Sequence, residues 1–131
     1  MIAYLYVALG SALGGVLRHW LNVIITEKFN DGFPWGVLFI NIVGSFVIGF
    51  FAALTTEGRF VVSDEIKLFV MAGLCGGFTT FSAFSLQTLN LAQAGDFSRA
   101  GLNIILSVAL CLFFVWMGYV AAGAINQMKG S

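Results

Sequence analysis

Residues 73–85 read GLCGGFTTFSAFS. They lie inside a run of 28 residues, 68–95, that contains no Asp, Glu, Lys or Arg. A helix needs about 20 apolar residues to cross the hydrocarbon of a bilayer, so the run is long enough for a span. A helix facing only lipid has no use for this mixture of residues. Glycine costs about 1 kcal/mol in a helix interior, and β-branched threonine adds a little. As one straight helix the run would extend about 42 Å, against about 30 Å of hydrocarbon. An interruption at Gly76-Gly77-Phe78-Thr79-Thr80 absorbs part of that excess. Irregular backbone at membrane depth is tolerated only where it faces protein, water or an ion. Freed carbonyls in such a place are a recurrent way to hold Na⁺. The alternative is a continuous helix whose glycines serve packing.

The rest of the chain points to the same solvent. Its 131 residues suit one domain, 1–131, in which 60% of residues are apolar or aromatic and 9% are charged. Mean hydropathy is +0.97. A soluble fold of this size needs far more charge to cover its surface. Charge-free stretches at 1–17, 32–56, 68–95 and 100–128 mark four spans. The expected architecture is an all-α integral membrane protein with transmembrane helices at about 2–26, 34–56, 66–94 and 99–125, the third broken mid-membrane. Pro34 suits a first helical turn, and Trp35 suits the membrane interface. The short connections, 27–33, 58–65 and 95–98, make consecutive helices antiparallel neighbours. No secretory signal is expected at the N-terminus, which lacks a basic leader and a small-x-small cleavage pattern. Cys75 and Cys111 match no metal or redox spacing and read as reduced thiols.

Orientation is nearly undetermined by charge. One side would carry Arg59, Lys67 and Lys129, the other Lys28 and Arg99, with Arg18 near or within the first helix. Orientation follows the Lys and Arg excess, so a near tie permits insertion both ways or a fixed orientation set by a weak bias. Gly10 and Gly14, Ser45 and Gly49, and Gly73 and Gly77 are each four apart, a spacing that lets helices approach closely in lipid. Four helices enclose little space, so an ion path needs a second copy. A homodimer is therefore expected, antiparallel if insertion is two-way.

The chemistry-bearing residues cluster after the glycines. At about 100° per residue, Phe78, Phe81, Phe84 and Ser85 fall within an arc of about 120°, with Ser82 just beyond. Aromatic ring edges carry partial positive charge and hydroxyls donate hydrogen bonds. Both favour a small anion shedding water. The same pattern also suits phenylalanines packing a core and serines bonding to the preceding turn. Asn41, Gly44 and Ser45 share a face of the second helix, while Asn103, Ser107 and Cys111 recur at spacings of four on the fourth. These serve an ion path or helix–helix hydrogen bonding equally well. Arg18 is costly in hydrocarbon, about 2.5–3.5 kcal/mol, and can stabilise a dimer core, draw anions or reach the interface. His19 reads as an interface residue. No acid lies within a span, which argues against proton coupling and against an acid-lined cation pore. No nucleophile–base pair is visible, so an enzyme is not expected. A small multidrug or cation exporter would want a carboxylate in the first helix, and 1–26 has none. A structural membrane subunit would need no interruption.

The segment Gly76-Gly77-Phe78-Thr79-Thr80-Phe81-Ser82-Ala83-Phe84-Ser85 resembles the signature of the Fluc (CrcB) fluoride channels. The likeness extends to Gly14-Gly15 with Arg18, to Pro34-Trp35-Gly36 with Asn41, and to Gln93-Ala94-Gly95. The resemblance implies a passive fluoride channel in the cell membrane, built as an antiparallel, dual-topology homodimer with two pores. It implies a central structural Na⁺, not transported, held by backbone carbonyls of Gly76 and Thr79 from each subunit. It assigns Phe81 and Phe84 to the pore wall, Asn41 beside the pore, Ser82 and Ser85 to a hydroxyl track, and Arg18 to the first-helix arginine. Ser107 extends the polar face on the fourth helix. The sequence departs from the family pattern at Ala83, Gln87, Cys111 and Val115, which thins that track. A partner subunit of different sequence stays open.

Overall fold

A computed structural model describes residues 1–56 and 60–130. Glu57, Gly58, Arg59, Ser131 and the side chains of Lys129 and Gly130 lie outside the described residues. The charges of Arg59 and Lys129, used above for orientation, and the start of the 58–65 connection fall there.

The described residues are helical, with no strand among them. Helix α1 spans Ile2–Lys28 and α2 spans Trp35–Thr56. A third helical stretch is built in pieces: α3 (Asp64–Lys67), a wider π-helical segment (Leu68–Cys75), α4 (Gly76–Phe78) and α5 (Phe81–Gln93). Helix α6 spans Phe97–Gly130. Four of these units, Ile2–Lys28, Trp35–Thr56, Asp64–Gln93 and Phe97–Met128, are long and apolar enough to cross a membrane. The first and last run past the expected ends at 26 and 125 because Glu27, Lys28, Gln127 and Met128 are good helix formers. A charge ends a span's apolar stretch without ending the helix.

Local chemistry sets the ends. The Ser63 hydroxyl caps α3, accepting from the Ile66 amide at 3.3 Å, with Asp64 and Glu65 in the first turn where the helix dipole favours acids. Helix α5 closes in a Schellman turn: the Asp96 amide donates to the Leu91 carbonyl at 2.9 Å and the Gly95 amide to that of Ala92 at 3.0 Å. This needs the left-handed φ of +83° at Gly95, natural for glycine. Asp96 then caps α6, accepting from the Arg99 amide at 3.2 Å. Arg99 also pairs with the Asp96 carboxylate at 3.5 Å and donates to the Asp31 carbonyl in the 29–34 connection. The two turns on this side of the bundle are thereby tied. The Trp35 indole N–H, the Phe33 amide and the nearby Arg99 charge hold the Asp31 carboxyl below the ordinary aspartate range.

The closest backbone approaches join alternate helices, not consecutive ones. A Cβ on Gly10 would strike the backbone of Phe69, Gly73 and Leu74, and one on Gly14 the backbone of Leu74 and Phe78. On the facing side, a Cβ on Gly77 would sit 2.6 Å from the Ser11 carbonyl oxygen. Helix α1 thus packs parallel to the first part of the third span. Helices α2 and α6 pair in the same way: Gly49 abuts the Val115 carbonyl, Gly118 abuts that of Phe46, and Asn126 donates to the Ala53 carbonyl at 3.2 Å. Short loops do place neighbours side by side, but the glycines decide which backbones touch.

Replacing Gly77 with Val should push α1 off the third span. Overpacking of this kind costs about 1–3 kcal/mol, and more where backbone is the obstacle. A clear drop in thermal midpoint in detergent is expected for Gly77→Val. An unchanged midpoint would contradict this packing.

Candidate functional site

The third span leaves helical geometry at Thr79 and Thr80. Their backbone angles are φ −84°, ψ 156° and φ −151°, ψ 115°, both extended. β-branched residues accept such angles readily. Upstream the helix has already widened, and the Gly76 amide reaches back five residues to the Met71 carbonyl. Downstream Thr80 caps α5, its hydroxyl accepting from the Ala83 amide at 3.1 Å.

Backbone polar groups released at such a point need partners. The Thr79 amide and hydroxyl both donate to the Cys75 carbonyl at 2.9 Å. Asn41, from α2, serves Thr80 twice. Its amide oxygen accepts from the Thr80 N–H at 2.8 Å and its amide nitrogen donates to the Thr80 carbonyl at 3.1 Å. A carboxamide has one acceptor and one donor side, which match one residue's N–H and C=O. From the opposite face, Arg18 donates through Nε to the Gly77 carbonyl at 3.0 Å. Gly44 lets Thr79 sit flush on α2, since a Cβ there would collide with the threonine methyl.

The interruption takes the regular helical donors from the carbonyls that precede α5; Arg18 serves that of Gly77, and those of Gly76 and Thr79 lie beside α2. In a continuous helix the Gly76 carbonyl would accept from the Thr80 amide, and that of Thr79 from the Ala83 amide. Asn41 takes the first donor and the Thr80 hydroxyl takes the second. Gly76 and Thr79 therefore lose their regular helical partners at one spot.

Beside them lies an open cavity of about 410 Å³ between α2, the third span and α6. Asn41, Gly76, Thr79, Phe81, Phe84 and Ser107 all line it. No Asp, Glu, Lys or Arg does. The Phe81 and Phe84 rings lie 5.3 Å apart, tilted by 47°. Phe84 is buried, at 9% exposure, while Phe81 is 77% exposed and stands out from the surface of the chain. Ser82 and Ser85 are not brought to this cavity. The Ser82 hydroxyl lies 3.2 Å from that of Thr80, and Ser85 bonds back to the Phe81 carbonyl at 2.9 Å. Arg18 sits across the third span from it, on the α1 side.

The Asn103–Ser107 face expected on the fourth helix forms a polar chain that joins α5 to α6 through Thr88, a residue the sequence pattern did not single out. Ser107 donates to Asn103 at 3.3 Å, Asn103 to the Thr88 hydroxyl at 2.9 Å, and Thr88 to the Phe84 carbonyl at 2.8 Å. Asn103 is 2% exposed, so its bonds are sheltered from competing solvent. The signal for Thr88 was present: it stands four residues after Phe84, one turn further along the same face.

Fold and site together define a multi-pass integral membrane protein with a neutral, aromatic-walled cleft beside an interrupted helix. The comparisons make this specific. Residues 5–119 match the family model described as CrcB-like protein, Camphor Resistance (CrcB), and the chain belongs to that family. It is 60% identical to a fluoride-specific ion channel FluC of Methylocella silvestris, with 98% of each chain covered. It is 58% identical to one of Paramagnetospirillum magneticum, over 97% of this chain and 100% of the relative. It is 54% identical to one of Opitutus terrae, over the full length of both. Ion channels move ions and belong to a non-enzymatic class.

Asn41→Leu keeps the side chain's size and removes both of its bonds to Thr80. Each buried polar group left unpaired costs about 1–3 kcal/mol. The variant should show a markedly lower thermal midpoint in detergent. An unchanged midpoint would mean that Asn41 does not hold the extended pair.

Proposed function

We propose that this chain is a fluoride-selective channel that lets fluoride leave the cell passively. The observation that carries the reading is likeness over the whole chain to relatives named fluoride-specific ion channels. The geometry supports it chemically. The cavity wall is made of phenylalanine rings, small residues and neutral polar side chains, with no carboxylate to repel an anion. Ring-edge contacts are individually weak, which suits a route that an ion must also leave.

In this reading the working unit is an antiparallel, dual-topology dimer with two pores. Phe81, so exposed on one subunit, meets the second one there. The interruption at Thr79 and Thr80 lies mid-membrane, where only a protein- or ion-facing position tolerates it. The carbonyls of Gly76 and Thr79, deprived of helical donors, suit a hard monovalent cation that takes neutral oxygens. Two from each subunit would hold a structural Na⁺, whose charge offsets four converging carbonyl dipoles. Phe81 and Phe84 form the pore wall, with Asn41 and Ser107 as polar neighbours. Ser82 and Ser85 face the route only if the second subunit completes it on their side. Arg18 braces α1 against the interruption through Gly77.

Purified protein in liposomes should release fluoride while chloride is retained. Folded protein that releases no fluoride would overturn the reading. Phe81→Ile and Phe84→Ile should each slow efflux on the order of tenfold, the rate equivalent of about 1.4 kcal/mol. Unchanged rates in both would remove the rings from the mechanism. Exchanging all Na⁺ for N-methyl-D-glucamine should impair flux or dimer stability. Indifference of both would eliminate the cation.

A further inference from the structure

Three sulfur-bearing residues border the same cavity: Met71 and Cys75 from the third span and Cys111 from α6. We infer that they form a binding site for a soft monovalent cation of the Cu(I) or Ag(I) class. Met71 and Cys75 are four residues apart and so share one face of the third span. That face is turned away from Gly73 and Gly77, which are packed on α1. Cys111 comes from a different helix, with the Ser45 side chain of α2 as the thiol's hydrogen-bond neighbour. Both cysteines are free thiols. Cys111 is half-buried and can be reached from the cavity, whereas Cys75 is only 4% exposed.

The lining selects by softness. Thiolate and thioether sulfur favour Cu(I)-like ions, whereas hard cations favour carboxylate and other oxygen ligands. The cavity has no carboxylate to offer. Its volume, about 410 Å³, greatly exceeds the share of one water, about 30 Å³, so an ion can enter. Binding needs no redox step. The Cys111 thiol gives its proton to solvent as the sulfur–metal bond forms, and Met71 adds a lone pair with no proton change. Cys75 completes the site as a neutral sulfur. One thiolate with one monovalent ion is neutral overall, which an apolar wall tolerates far better than a net charge. The site is distinct from the carbonyl pair of Gly76 and Thr79, because its donors are side-chain sulfurs.

The direct test uses silver nitrate and the full-length protein in chloride-free detergent buffer. Silver retained after desalting is measured by atomic emission and proton release by a pH indicator. One silver per chain and one proton per silver are expected, insensitive to Na⁺. Changes to outer-shell partners alone cost about 10–100-fold in metal affinity, so loss of the bonded thiolate in Cys111→Ser should weaken retention by at least about 100-fold, with a smaller loss in Met71→Leu. Elution as a single folded species checks each variant. No retention, or retention equal in wild type, Cys111→Ser and Met71→Leu, overturns the site. Loss only in Cys75→Ala, with the other two unaffected, also overturns it, because it marks a single-thiol adduct. The functional consequence, that the bound ion obstructs the cleft, rests on the channel reading. Wild-type fluoride efflux should fall with silver, and the ratio of rates with and without silver should approach one in Cys111→Ser. Failure of silver retention sinks this inference alone. Absence of fluoride efflux before silver is added sinks the channel reading and leaves the binding result intact.

Discussion

The pairing of one side-chain amide with one backbone residue governs this molecule. Asn41 occupies both the N–H and the C=O of Thr80, at 2.8 and 3.1 Å. Without that partner, two extended residues within a mostly apolar span would leave polar groups unmatched, and the backbone would favour helix. With it, the extended geometry becomes the satisfied one. The diversion then spreads. The Gly76 carbonyl loses its donor to Asn41, and the Thr79 carbonyl loses its donor to the Thr80 hydroxyl that caps α5. One interhelical contact and one cap thus convert an interior stretch of helix into a polar spot.

The glycine contacts make that contact possible. Interhelical hydrogen bonds in membranes are modest, about 0.6 kcal/mol on average, so one amide cannot hold the bundle alone. Gly10, Gly14, Gly73 and Gly77 set α1 flat on the third span, while Gly49 and Gly118 do the same for α2 and α6. Gly44 brings α2 close enough for Asn41 to reach Thr80. The polar site is therefore placed by small residues that carry no chemistry of their own. On one side Arg18 adds a further brace at Gly77. At one end of the bundle the Asp31–Trp35–Arg99–Asp96 cluster joins the turns that feed α2 and α6.

Much of this was legible in the residues, because lipid leaves few options. Charge-free stretches located four helices, since a charge at the bilayer centre is expensive wherever it sits. Thr79 and Thr80 stood out because glycine and β-branched residues are poor helix formers. Asn41 stood out as a lone amide in an apolar run. Other features were not legible because they depend on which helices touch. The parallel pairing of α1 with the third span and of α2 with α6 follows from the glycine faces, and loop length alone pointed to consecutive neighbours. The fate of the serines was equally hidden. Periodicity set Ser85 beside the phenylalanines, but a hydroxyl can bond to the carbonyl four residues back, and Ser85 does so. Thr88, by contrast, links through Asn103 to Ser107, a junction that no single helix's pattern reveals.

The account stands or falls on the backbone at Thr79 and Thr80. Solid-state NMR of the chain in lipid, with carbonyl and Cα carbons labelled at threonine and glycine, reads it directly. Shifts in the extended range are predicted at Thr79 and Thr80, with helical values at Thr88. Helical shifts running unbroken through Thr79 and Thr80 would contradict the account.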